Sequence, residues 1–275
     1  MADDYTRSGS KRPQSRAVHE RRTGISLSTP AGRTEARPRC AASGPRRIPL
    51  ACEGPTGRCK VVRVTPPLRA VYDELVERAA RPPFSDRAQA LRDRFLERCG
   101  RPDPDSAAAG ARDAAAWEDA LVRGQLALEI GAELTDPAER AAAMALAHAQ
   151  RGVYVFAELG DVLVAHDLWS AAEFVLAARD DVGREMAATG RLAESPMCEA
   201  RVMATERGCA VLPGPVFHPL DARQHVHQVL AAAHERGLGT DTVMDALLKM
   251  EHTWHTLSRV KVTYAYRAEL LPDAD

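Results

Sequence analysis

Residues 152–169 read GVYVFAELGDVLVAHDLW, and the fold turns on them. Val153, Val155 and Ala157 alternate with Tyr154, Phe156 and Glu158, the two-residue period of a strand. Gly160-Asp161 sits where a two-residue hairpin turn needs positive φ, and residues 162–169 predict the returning strand. Residues 173–177 predict a third strand, and 180–190 a polar connector. Cys198, Ala200, Val202 and Ala204 then alternate with Glu199, Arg201, Met203 and Thr205. After the turn signal Glu206-Arg207-Gly208, residues 209–212 enter a fifth strand that Pro213, Gly214 and Pro215 break or leave at an edge. Five short strands in succession predict a small five-stranded antiparallel meander that can curl into an open barrel.

Outward from that stretch the apolar period becomes helical. Leu68, Val71, Tyr72, Leu75, Val76 and Ala79 share one face between Pro66-Pro67 and Pro82-Pro83. Ser85 or Asp86 is placed to cap a second helix carrying Ala88, Leu91, Phe95 and Cys99. An Ala-rich third helix runs from Ala107 through Trp117, Leu121, Val122 and Leu126. Asp136-Pro137-Ala138-Glu139 opens a fourth, extending to about residue 151. Beyond the meander, Asp221 and Gln224 form a capping-box variant ahead of Val226, Val229, Leu230 and Ala233, and Gly237-Leu238 closes that helix. Thr240 or Asp241 caps the last one, whose Val243, Leu247, Met250, Trp254 and Leu257 form a stripe that has to bury against something. Val260, Val262, Tyr264 and Tyr266 alternate, so a closing strand is expected. The expectation is an α+β protein: N-terminal helices over 61–151, then the meander and two C-terminal helices over 152–275, packed together as one unit.

Charge sets the first boundary. Residues 1–60 carry a balance of +8, with six Gly, six Pro and the single aromatic Tyr5, whereas residues 61–275 carry −9. The first segment shows no apolar periodicity, so it is expected to be a disordered basic tail. A start mis-assigned upstream of Val61, Val62 or Val64 explains it best; a basic arm for nucleic acid or an acidic partner is the alternative. With 33 arginines against four lysines, and 49 alanines, the chain reads as the product of a GC-rich bacterial genome. No apolar run approaches the ~20 residues of a membrane span, and no apolar core of a signal peptide follows the N-terminus. Cys40, Cys52, Cys59, Cys99, Cys198 and Cys209 are scattered without a CxxC pair. Reduced thiols and a cytoplasmic location are therefore expected, with no membrane partner.

The chemistry-bearing residues are few. His218, His252 and His255, with Glu251, are the candidates for a metal site, because His252 and His255 share a helix face. Ordinary surface or capping histidines account for the same letters. His166-Asp167, with His148 upstream, resembles the His-Asp pair of HD-superfamily phosphohydrolases. That family carries its pair on a helix, whereas this one falls on the strand over 162–169. Gly-x-Ser-x-Gly is absent from the folded region, as are the phosphate-cradling glycine motifs, so no catalytic residue and no cofactor is expected. Tyr154, Phe156, Trp169 and Phe174 could stack nucleic-acid bases on a small barrel, against the −9 balance. The leading expectation is thus a non-enzymatic protein-interaction or regulatory module whose partner is another protein. A nucleic-acid-binding barrel with a basic arm and a His-based metal enzyme are the alternatives.

Overall fold

The computed structural model describes residues 68–273 apart from 161, 177–190, 195, 207 and 258–259, all within the unit Cys59–Asp275. The tail over 1–60 and the connector over 180–190 lie outside the described residues.

Five helices come first: α1 (Leu68–Ala79), α2 (Ser85–Cys99), α3 (Ala109–Val122), α4 (Leu126–Glu133) and α5 (Pro137–Ala147). Their apolar faces meet in one cluster built on Leu75, Leu121, Leu126, Ile130 and Leu146. The sequence predicts a single third helix running to Leu126, but Gly124 and a left-handed Gln125 (φ 61°) split it into α3 and α4. The break turns Leu126, Ala127 and Ile130 onto α1 and α5. Asp136 caps α5 as expected, its Oδ1 accepting from Ala138 N–H at 2.8 Å. The caps expected at Ser85, Asp86, Asp221 and Thr240 are absent. Thr240 is instead the first helical residue, and its hydroxyl accepts from Trp169 Nε1–H at 2.9 Å.

The sheet has six described strands: β1 (Gln150–Leu159), β2 (Val162–Asp167), β3 (Glu173–Leu176), β4 (Met197–Thr205), β5 (Gly208–Val211) and β6 (Val216–Phe217). Leu159 pairs with Val162, as the two-residue turn at Gly160-Asp161 requires. The strands do not lie in simple succession. β4 returns antiparallel to β1, and β5 meets β3 in one parallel pair, Leu176 with Cys209, so the sheet is mixed and curls into a partial ring. Tyr154, Phe156, Ala165, Leu176, Cys198, Ala200, Val202 and Val211 fill the inside of the curl. β5 and β6 lie on the same side of β4 as one interrupted strand. Val211 pairs with Val202 and Val216 with Glu199, so two extra residues bulge out across Pro213-Gly214-Pro215.

α6 (Arg223–Glu235), α7 (Thr240–Thr256) and the single turn α8 (Val262–Ala265) complete the fold. They share a second core with Val153 and Met197 from the outer face of the sheet. The closing strand expected over 260–266 is replaced by α8. Ala265 and Tyr266 are both buried, with Val262 half-buried, and that i, i+3, i+4 spacing is helical. On α7 the expected stripe is covered only in part: Val243, Leu247 and Met250 are buried, Trp254 is half-buried, and Leu257 is 50 % exposed.

Candidate functional site

The four candidate metal ligands are drawn to different partners. His218 follows β6, is buried, and lies with Nδ1 2.9 Å from the Tyr266 hydroxyl. Burial, with the Arg112 guanidinium nearby, pushes its pKa down to about 3, so its ring is neutral. Glu251, buried on α7, pairs through one oxygen with Arg112 of α3 and through the other with His255 Nε2 at 2.9 Å. His252 turns aside and packs on Gly100 at the end of α2. With φ at +92° there, and the His252 ring 2.2 Å from where a Cβ would stand, only glycine fits. Among the described residues no three His, Cys, Asp or Glu side chains are grouped so as to hold a metal ion. His166 and Asp167 lie on β2, where Asp167 accepts from Trp169 N–H and Ser170 N–H and so shapes the turn that follows. Tyr154 and Phe156 are buried inside the curl and present no face to a base.

Between the outer face of the sheet and the helices runs a chain of buried charges. Arg151 of β1 donates through Nε to Glu199 of β4 at 2.6 Å and through Nη1 to Asp245 of α7 at 2.6 Å. Arg98 of α2 joins Asp245 (2.6 Å) to Asp119 of α3 (3.0 Å), and Arg201 of β4 donates to Asp119 at 2.8 Å. Glu118 ends the chain, 3.7 Å from Arg201 and accepting from Gly214 N–H at 2.5 Å. The bulge at Gly214 is what brings that backbone N–H against α3, where a Cβ would stand 2.6 Å from Ala115 N. Burial pushes the Glu118 pKa up to about 7 even though Arg201 and the Gly214 N–H both favour its ionised form. Burial works against ionised Asp245, but Arg151 and Arg98 hold its carboxyl below the usual range. Most of this network is buried (Glu118, Asp119, Arg151, Glu199 and Arg201), with Arg98 and Asp245 reaching its partly exposed edge. It ties sheet to helices and offers no route to a substrate.

The open site lies at the other end of α7, where the stripe runs out of cover. An open groove of ≈ 690 Å³ is floored by Ala246, Met250, Leu257, Val260, Tyr264 and Leu270. Leu257, Tyr264 and Leu270 are about half exposed or more, a concentration of uncovered apolar surface on one side of the molecule. Lys249, Lys261 and Arg267 also line the groove, and among the described residues none of its lining is acidic. Sequence reasoning placed the α7 stripe but missed this groove, because it read residues 260–266 as a strand. The covering segment is α8, and the signal for it was the neighbouring pair Ala265-Tyr266, too close in sequence to share one face of a strand. The chain matches no protein-family model, no curated protein and no solved structure.

Proposed function

We propose that the chain is a protein-interaction module of the cytoplasm that docks an apolar helical segment of another protein in the groove beside α7. One observation carries this reading: a floor of six apolar side chains, three of them exposed, bordered by cations and open along the helix. Helix-in-groove recognition uses such a surface, with anchors at i, i+3, i+4 and i+7 dropping into an apolar trough. Ala246, Lys249, Met250, Thr253 and Leu257 present the matching helical row from α7. Among the described residues no helix is long and apolar enough to cross a membrane, so the exposed apolar surface is not part of such a span.

The test is selection of displayed helical peptides on the full chain, with Leu257→Asp/Tyr264→Asp as counter-target. Both positions are exposed, so the variant should melt close to the wild type. Peptides that bind the wild type and lose about tenfold or more on the variant are the expected result. Enrichment that ignores the substitutions, or none at all, overturns the docking reading.

A further inference from the structure

Resting on that reading, we infer that the docked segment is an acidic amphipathic helix of about three turns. Length comes from the groove: its row runs from Ala246 on α7 to Leu257 just past the helix end, about 16 Å at 1.5 Å per residue. Charge comes from its rim. Eleven arginines among the described residues are ion-paired, including those of the buried network. Lys249, Lys261 and Arg267 are exposed and make no ion pair with a described residue. Lys249 has a carboxylate one turn away, Asp245, but Arg98 and Arg151 hold it. In a region whose balance is −9, three cations without a described ion-pair partner stand around one apolar floor. Such a rim attracts carboxylates and rejects like charge, which sets specificity and encounter rate more than affinity. The chain's own residues 1–60, at +8, have the wrong sign to be the occupant.

The experiment reads the charge of the peptides selected above. Asp and Glu should outnumber Lys and Arg at the polar positions of the enriched helices. Their affinity should weaken as salt rises, since rim charges are screened. Lys249→Glu/Lys261→Glu/Arg267→Glu should cut it about tenfold or more, with the melting temperature of the variant measured alongside. Neutral or basic peptides that still depend on Leu257 and Tyr264 would overturn the acidic partner and leave the docking reading standing. A second copy as occupant would appear in sedimentation as a dimer that Leu257→Asp dissociates, and would overturn the inference too. Absence of any Leu257-sensitive peptide removes the docking reading itself.

Discussion

The two ends of α7 treat charge in opposite ways. At its N-terminal half, Asp245 sits within hydrogen-bond distance of Arg98 and Arg151 in a largely buried seam. At its C-terminal half, Lys249 and its neighbours in the groove stand in the open beside the exposed Leu257, Tyr264 and Leu270. One helix thus holds a site where every ion is matched internally and one where the cations are left for a ligand. Buried pairs tolerate no loss of a partner, because the survivor is stranded in low dielectric. Exposed charges cost little to change and act mainly through what approaches from outside. Stability should therefore live in the seam and recognition in the groove.

The largest effect expected from that contrast is in acid. His218, buried and neutral, has a folded-state pKa depressed to about 3. Its contribution is complete above its unfolded pKa of ~6.5 and is lost as pH falls toward 3, about 5 kcal/mol at 1.36 kcal/mol per unit. Urea melts at pH 7 and pH 3 should show the loss, about 3 kcal/mol of it already by pH 4, and His218→Gln should flatten it. Next comes Arg151→Met, which strands Glu199 and half of Asp245's pairing; the expected cost is about 3–5 kcal/mol by chemical denaturation. A cost under about 1 kcal/mol would mean the seam is hydrated and the contrast is false.

Glu118 behaves with the opposite sign to His218. Its folded-state pKa is raised to about 7, so its contribution is whole below the unfolded value of ~4.5 and fades as pH rises through 7. Between those limits about 3 kcal/mol is lost, and Glu118→Gln should remove that slope from stability measured at pH 5 and pH 8. Smaller still is Trp254→Ala. Full burial would cost about 3–5 kcal/mol, but the ring is half-buried against His255, and about 2 kcal/mol is expected from the shift in melting temperature.

The α+β class, the hairpin at Gly160-Asp161 and the Asp136 cap were legible in the sequence because each depends on a local pattern. Sheet order was not. The returning pair β1–β4 joins residues some fifty positions apart, and no local periodicity encodes which strand β4 will choose. The seam escaped for a related reason. Glu199 and Arg201 alternate with Cys198, Ala200 and Val202, which reads as a polar face turned to solvent, yet both faces are buried because Arg151 of β1 answers Glu199 and Asp119 of α3 answers Arg201. Of the candidate ligands, the sequence did bring His255 and Glu251 together, since i, i+4 on a helix is a local relation. It could not foresee that Arg112, far away on α3, would occupy the other carboxylate oxygen.

The β1–β4 register also couples the sheet to the helices. It sets Arg151 directly opposite Arg201, and like charges facing each other across a strand pair repel. Glu199 answers one of them from within the sheet, but Asp119 and Asp245 arrive only with α3 and α7. Ring closure already carries the entropy of a loop of some forty to fifty residues, and without those helices it would also set two guanidiniums side by side short of partners. The β1–β4 pair and the docking of α3 and α7 therefore reinforce each other: the helices bring the carboxylates that let two facing arginines share one strand pair.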